Sequence, residues 1–493
     1  MIRCVQALTK PQSKSKMAAW ISPGYALLER AFHPWGSAQD VLFASGNAVG
    51  HFTKYKARLV IKGFMQRYGL DYVEIFAPVL RYNTLRLVLF LVASNGWIIR
   101  QMDVKTAFLN GYLDEDTEIF MVQPPNFAVP GMEHLVCKLL EAIYGLKQAP
   151  RCWYLTLHEF LVSISFERCI KEVCLYIKRV GDSMVLLTVY VDDITITGND
   201  NQEIEKACDS LKLRFKMTDL GQGRDNVSTR LCLKSLREVQ HGHPVSTPEV
   251  VGQVLEPSKL NPSEMKTLNL PYRELVGSLQ NLVTCTRPDI ANAVRSLSKY
   301  LSCFDESHWK QAKRVLRSTA PIALFKIDCT NQVGAFQVEA YCDADFANSE
   351  DRRSISGFLV MFLGCCLSAR SRKQTMVTLS TAEAEYIALC DLVKELLWYI
   401  ELLEELGFPQ RSIVVHCDNQ SAIAIAKNPG HDERTKHIST KYHFVRDQVE
   451  KGRIQLQYCP TKLIVADILT KAIPREQFEI LRSKMGLADG PTN

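Results

Sequence analysis

Two adjacent carboxylates, Asp192 and Asp193, close the apolar run Met184-Val-Leu-Leu-Thr-Val-Tyr-Val191, and a second β-branched run, Ile194-Thr-Ile-Thr197, leaves them. Such runs around a short polar pair predict a β-hairpin with the acids at its turn. Like charges at a turn between buried strands repel, and burial adds to the cost unless a cation neutralises them. A hard divalent cation such as Mg²⁺, held by carboxylate oxygens and substrate phosphates, meets that need. An ordinary exposed turn accounts for the pair equally well, since Asp is common in turns.

A third carboxylate, Asp103, follows the apolar stretch Leu85 to Ile99 and sits in Arg100-Gln-Met-Asp-Val-Lys-Thr-Ala-Phe108-Leu-Asn-Gly111. One strand carboxylate and one from a neighbouring hairpin are what two-metal nucleotidyl transfer requires. One metal activates the attacking hydroxyl; the other holds the triphosphate and the leaving pyrophosphate. A helix N-cap is the plain alternative for Asp103.

Four more acids stand in the last third. Asp343 ends the strand-like Val338-Glu-Ala-Tyr-Cys-Asp343, and Asp418 ends Ser412-Ile-Val-Val-His-Cys-Asp418. Glu385 lies near the start of a helix announced by Ser380-Thr-Ala-Glu-Ala-Glu385, where Ser380 or Thr381 supplies the cap. Asp467 opens the helical Val465-Ala-Asp-Ile-Leu-Thr-Lys471. Carboxylates at strand ends and helix starts converge above one sheet edge and suit two-Mg²⁺ hydrolysis of a phosphodiester. Any one of them could be a cap or a solvated acid, which is the reading preferred for Glu383 and Asp345. His431 and His437 read as surface or nucleic-acid-contacting residues, because no Cys lies at zinc-module spacing from them.

The elements that must carry these groups are legible from periodicity. Helices are predicted over 270–283 and 286–294, with Pro288 in a first turn, and over Glu383–Leu406, whose Ile387, Leu389, Leu392, Leu396 and Leu397 form one buried stripe. With 493 residues, 47% of them hydrophobic, the chain is long enough for three or four domains, and its 23% charged content excludes global disorder. A formal net charge of +6 permits a polyanionic partner, with basic clusters at Lys54–Arg58, Lys310–Arg317 and Arg370–Lys373 as phosphate contacts or solvated faces. Sixteen scattered Cys read as free thiols of a reducing compartment. No apolar run is long enough for a membrane span, and the first residues lack a signal-peptide core, so no membrane partner and no secretion are expected.

The chain resembles the reverse transcriptase–ribonuclease H region of copia-type (Ty1/copia) LTR retrotransposon polyproteins. The polymerase blocks that carry the resemblance are Tyr55-Lys-Ala-Arg-Leu-Val-Ile-Lys-Gly-Phe64, Gln101 to Gly111, Tyr144-Gly-Leu-Lys-Gln-Ala-Pro150 and Tyr190-Val-Asp-Asp193. Downstream they are Asp351 to Gly357, Lys373 to Ser380, Arg434 to Ile438 and the order Asp343, Glu385, Asp418, Asp467. The resemblance implies an α/β chain, an α+β polymerase palm and fingers followed by a ribonuclease H-like mixed-sheet α/β domain. It implies metal ligation by Asp103, Asp192 and Asp193 in one site and by Asp343, Glu385, Asp418 and Asp467 in the other. Two Mg²⁺ ions are implied at each, with Mn²⁺ as a substitute. Lys56 and Arg58 would grip the triphosphate. Phe108 would exclude a ribose 2′-hydroxyl, and Tyr144 and Gln148 would lie beneath the nucleotide and template. Implied partners are an RNA template, a DNA primer, the RNA·DNA hybrid, dNTPs and the capsid, protease and integrase of a polyprotein. The implied setting is intracellular, in a cytoplasmic virus-like particle or the nucleus.

The boundaries expected on this basis are an irregular lead-in over 1–46, fingers and palm over 47–221, a truncated thumb and connection over 222–335, the nuclease over 336–475 and a tail over 476–493. The lead-in does not resemble the family's fingers hairpin. Only Gln222 to His243 separate Gly221 from Pro244-Val-Ser-Thr-Pro248, which is shorter than the family pattern and omits its primer-gripping block. Ser318 to Gln337 is a second irregular interval. A degenerate copy, binding nucleic acid or acting as a ribonuclease H alone, is the alternative these departures raise.

Overall fold

The β-branched and aromatic residues around the Asp192–Asp193 pair form the expected hairpin, with Tyr190 opposite Asp193 in an antiparallel ladder. In the computed structural model the described residues are 25–28, 38–46, 52–113, 118–124, 129–222, 245–253, 255–319, 323–325, 336–427 and 439–489; side chains are described from Arg58 onward, a few helix and strand positions excepted. They divide into two compact units, Met1–Leu80 with Ile99–Gln222, and Arg81–Ile98 with Gly223–Asn493.

The first unit holds strands β1 (Tyr25–Leu28), β2 (Ala38–Gly46), β3 (Phe52–Ile61), β4 (Ile98–Val104), β5 (Ile119–Val122) and β6 (Val136–Leu139). It continues with β7 (Glu167–Arg168), β8 (Leu175–Val180), β9 (Ser183–Tyr190), β10 (Asp193–Gly198) and β11 (Met217–Gln222). Six of these make one sheet in the order β11-β4-β10-β9-β8-β7, which puts the strand of Asp103 beside the hairpin of Asp192 and Asp193. Strand β9 is buried from Val185 to Val189, as an apolar run without alternation requires.

The irregular lead-in expected over 1–46 is corrected in two places. Tyr25–Leu28 pairs with β6, and Ala38–Gly46 pairs with β3 from Ala38↔Ile61 to Gly46↔Phe52. A segment containing Val41-Leu-Phe43 has strand propensity, and the ladder satisfies the backbone polar groups that β3 would otherwise present at its edge.

Helix α1 (Tyr82–Asn95) belongs to the second unit and ends at Gly96, whose φ of 64° serves the left-handed C-cap that glycine suits. Helices α2 (Ala149–Ser163) and α3 (Asn201–Arg214) complete the first unit. Pro150 lies in the first turn of α2, and the Asp200 side chain caps α3 by accepting from the N–H groups of Gln202 and Glu203.

In the second unit, the short helix α4 (Pro262–Thr267) precedes α5 (Tyr272–Cys285), α6 (Ala291–Ser298) and α7 (Glu306–Ser318), which pack around Tyr272, Leu279, Ile290, Leu297 and Val315. The predicted helices over 270–283 and 286–294 correspond to α5 and to a 3₁₀ turn at Pro288–Ile290 running into α6. Strands β12 (Ala323–Phe325), β13 (Val338–Asp345), β14 (Ile355–Phe362), β15 (Cys365–Lys373), β16 (Ile413–Cys417), β17 (Ile454–Tyr458) and β18 (Leu487–Asp489) follow. Five of them form a mixed sheet in the order β15-β14-β13-β16-β17. It is antiparallel through β13–β14–β15 and parallel through β13–β16–β17. The long helix α8 (Thr381–Glu405) packs on β13 and β14 and buries Ile387, Leu389, Leu392 and Leu396. Helices α9 (Gln420–Lys427), α10 (Ser439–Glu450) and α11 (Arg475–Lys484) complete it.

Arg86 of α1 is 7% exposed and donates to the carbonyls of Leu367, Thr284 and Cys285 at 2.6–3.0 Å, tying α1 to β15 and to the end of α5. Within the intervals that depart from the family pattern, 223–244, 320–322 and 326–335 lie outside the described residues, as do His431 and His437.

Candidate active sites

In the first unit, β9 and β10 are joined by Val191 and Asp192 alone. Val191 takes φ = 60°, a left-handed conformation costly for a β-branched residue. Two hydrogen bonds hold it there: Trp153 Nε1–H donates to the Val191 carbonyl at 2.7 Å, and Val104 N–H donates to the Asp192 carbonyl at 2.9 Å. The second bond joins the hairpin tip to the residue after Asp103. Asp103 is half-buried, Asp192 is exposed and Asp193 begins β10.

Tyr144 lies where the other predicted groups meet. Arg58 lies over its ring at 5.2 Å, and the Phe108 ring centroid is 5.2 Å from its own. Burial pushes the Tyr144 phenol up, the Arg58 guanidinium pulls it back, and the carboxylates of Asp192 and Asp103 add to the rise. Arg58, Phe108, Tyr144, Asp103 and Asp192 therefore share one neighbourhood. Phe108 is aimed there by a 3₁₀ turn, Ala107–Asn110, entered through Thr106 at φ = 55°. Gly145, with φ = 96°, lets the chain pass against β3: a Cβ there would lie 2.1 Å from the Ile61 carbonyl oxygen.

Gln148 is buried; its amide accepts from Gln66 and donates to the Asp71 carbonyl, both at 2.9 Å. With both ends engaged, it holds the 66–71 loop. The Lys56 side chain lies outside the described residues.

The second unit builds a tighter cluster. Asp343 near the end of β13 is 3% exposed and faces Gly357 of β14, which has no side chain to fill the space. The 3₁₀ turn Val465–Leu469 and Thr470 occupy that space; a Cβ on Gly357 would stand 2.6 Å from Thr470 Cγ2. This brings Asp467, 1% exposed, and the Thr470 hydroxyl, which donates to Asp343 Oδ2, into the site. Ser380 caps α8 through the N–H of Glu383, and Glu385 in its first turns accepts from Ala344 N–H at 3.1 Å. Asp418, just past β16, accepts from Thr461 Oγ1 at 2.8 Å. All four predicted carboxylates thus meet at one end of the mixed sheet.

Their electrostatics follow from burial. Burial and the neighbouring Asp467 push Asp343 up to about 7, against the pull of Lys471 and Thr470. Burial and the Asp343 carboxylate push Glu385 well above its usual range, and burial raises Asp467. Lys471 Nζ lies 2.8 Å from Asp467 Oδ1 and, although burial opposes its charge, Asp343 and Asp467 hold it protonated. Glu385 Oε2 is buried without a hydrogen-bond partner. An orphaned carboxylate oxygen among acids with one nearby ammonium fits a hard divalent cation.

Among the described residues the one trio of His, Cys, Asp and Glu with ligand atoms all within 4.8 Å is Glu385, Cys417 and Asp418; Asp103, Asp192 and Asp193 do not reach that spacing. Glu383 accepts from Leu379 N–H and Asp345 from Asn348, both local roles outside the cluster. Sequence reasoning assigned nothing to Trp153, Thr470, Lys471 or Cys417. The i, i+4 spacing of Asp467 and Lys471 was the one available signal.

The family described as reverse transcriptase (RNA-dependent DNA polymerase) matches residues 41–268. Over 462 residues the chain is 39% identical to the retrovirus-related Pol polyprotein from transposon TNT 1-94 of Nicotiana tabacum, covering 88% of this chain and 34% of that one. It is 38% identical over 463 residues to the Pol polyprotein from transposon RE1 of Arabidopsis thaliana, covering 90% and 31%. The chain belongs to the copia-type Pol polyprotein family. It spans about a third of the length of these curated relatives. Among solved structures, a foamy viral protease-reverse transcriptase in complex with double-stranded DNA is similar at 11% identity and a TM-score of 0.44, covering 88% of this chain and 67% of that one. The copia-type identity agrees with the motifs read from Tyr55 through Asp467.

Proposed function

We propose that this copia-type chain is an RNA-directed DNA polymerase joined to a ribonuclease H, and that both sites use divalent metal ions. The observation that carries the reading is the convergence of Asp343, Glu385, Asp418 and Asp467 with an orphaned Glu385 oxygen; in the other unit, Asp103 and Asp192 meet at one sheet end.

In the polymerase site Asp103 and Asp192, with Asp193, would hold Mg²⁺, Arg58 and Lys56 would hold the triphosphate, and Phe108 would press on the sugar. In the nuclease site the four carboxylates would hold Mg²⁺, which when bound supplies charge neutralisation at the scissile phosphate and lowers the pKa of water. Thr470 fixes the Asp343 carboxylate by its hydroxyl, and Lys471 neutralises Asp467. Partners are an RNA template, a DNA primer, dNTPs, the RNA·DNA hybrid and the other products of a polyprotein.

We place the protein inside the cell, in a cytoplasmic particle or the nucleus. The described Cys are thiols rather than disulfides, and among the described residues no helix is long and apolar enough to cross a membrane. The fingers and palm expected over 47–221 would exclude 81–98, which belong to the second unit, and the nuclease expected over 336–475 would run on through Phe478, Leu481 and Met485, which share its buried core. A second reading, a ribonuclease H on a polymerase that no longer extends primers, is favoured by the short interval between Gly221 and Pro244.

The deciding experiment is a paired assay on purified protein with Mg²⁺: primer extension on an RNA template, and cleavage of labelled RNA in an RNA·DNA hybrid. The proposal expects both, with extension lost in Asp192→Asn and cleavage lost in Asp343→Asn. Cleavage without extension selects the second reading, and absence of both overturns the enzyme reading.

A further inference from the structure

Cys417 closes strand β16 directly before Asp418, and its sulfur stands within 4.8 Å of a ligand oxygen of Glu385 and of Asp418. The thiol is fully buried, and Asn419 N–H points at the sulfur across 3.4 Å. Glu385 is 5% exposed, and its Oε2 has no hydrogen-bond partner. Two carboxylates and a thiol form a donor set different from the one a hard cation selects. Mg²⁺ takes oxygen ligands and gains nothing from sulfur, whereas a thiolate favours zinc-class ions.

We propose that Glu385, Cys417 and Asp418 form a thiophilic cation site that takes Zn²⁺ or Cd²⁺ and, when filled, withdraws Glu385 and Asp418 from the hard-cation cluster. Three protein ligands and one water complete the tetrahedral set such ions adopt. On binding, the Cys417 S–H bond breaks, its proton passes to solvent and a metal–sulfur bond forms, with no change of oxidation state. The binding itself stands on this geometry alone. Its consequence, loss of hybrid cleavage in Zn²⁺, rests on the ribonuclease H reading.

The test is a titration of the chelator-stripped full chain with Cd²⁺, following the ultraviolet thiolate-to-cadmium charge-transfer absorption. Because the chain has 16 Cys, the quantity read is the difference between wild type and Cys417→Ser. A difference band saturating at about one ion per chain is expected. Glu385→Gln keeps the thiol and removes one donor, so its midpoint should rise by about 100-fold, at the upper end of what losing a mere supporting contact costs. No difference between wild type and Cys417→Ser overturns the site. Should Cys417→Ser fail to fold, an unchanged midpoint in Glu385→Gln overturns it instead. Mg²⁺-dependent hybrid cleavage by the stripped wild-type chain, measured before any Cd²⁺ is added, separates the two claims. A band from a chain that did not cleave before Cd²⁺ upholds the site and removes the nuclease reading; prior cleavage without a band removes the site alone.

Discussion

The indole of Trp153, itself 2% exposed, donates to the carbonyl of Val191, the residue that carries Asp192 through its turn at φ = 60°. A β-branched residue in that conformation costs about 1–2 kcal/mol, and such strain persists only where the surroundings over-determine it. The strain lies at the tip that presents a proposed metal ligand.

Trp153→Phe should keep most of the packing and remove the donor. Leaving the Val191 carbonyl unmatched should cost about 1–3 kcal/mol in urea unfolding, and a turn free to relax should lower primer extension by about tenfold or more. Extension at the wild-type rate would show that Val104 alone suffices to hold the turn.

Phe108 packs against Tyr144, and its predicted role is to reject the ribose hydroxyl. Phe108→Val should raise incorporation of ribonucleotides relative to deoxynucleotides by about 100-fold, within the range one steric contact can discriminate. The measurement is kcat/KM for matched ribo- and deoxynucleoside triphosphates; an unchanged ratio assigns Phe108 to the core.

Gly357→Ala places a methyl group 2.6 Å from Thr470 Cγ2 and 2.9 Å from Leu469 Cβ. Overpacking of this kind costs about 1–3 kcal/mol. The displaced turn carries Asp467, so hybrid cleavage should fall together with the melting temperature. A variant with normal cleavage and normal stability would mean that the turn shifts without cost.

Lys471→Met removes the ammonium that faces Asp467. Breaking a fully buried pair costs about 3–5 kcal/mol; because the lysine is 36% exposed, about 2 kcal/mol is expected in chelator. Mg²⁺ should restore more stability to this variant than to wild type, read as the metal-induced rise in melting temperature. An equal rise in the two proteins argues that Lys471 and the cation occupy separate places.

Asp305 caps α7 in a reciprocal box with His308. Burial opposes its charge, yet hydrogen bonds from Ser307 and His308 hold the carboxyl well below the usual carboxylate range. A depressed acid contributes stability that is present above its unfolded pKa, near 3.9, and is lost as pH falls through the folded value. Asp305→Ala should cost about 1 kcal/mol at neutral pH, with the gap to wild type closing under strongly acidic conditions. A gap constant down to acid would place the effect in packing.

Elements with a strong period are legible in the sequence: the hairpin at Asp192–Asp193, the helix of Glu385, and the strands of Asp343 and before Asp418, of which the first runs two residues further, to Asp345. Their burial pattern is local, so a short window of sequence encodes it. Ala38–Gly46 was not recognised because what makes it a strand is its ladder with Phe52–Ile61, a pairing that composition does not announce. Gln148 was assigned to the nucleotide from its block; its engagement with Gln66 depends on residues 82 positions apart. Thr470 and Lys471 carry no alarm in a helix start, and only the glycine opposite Asp343 gives them room.

Helix α1 interrupts the first unit in sequence: the chain leaves that unit after Leu80 and returns at Ile99. The two units are interleaved along the gene, so no single crossover or protease cut exchanges or releases the second one whole. A fragment beginning at Gly223 would lack Arg86, and with it the donors that bind the carbonyls of Leu367, Thr284 and Cys285. Recombination between related elements would keep both units intact only by moving them together, as one heritable block.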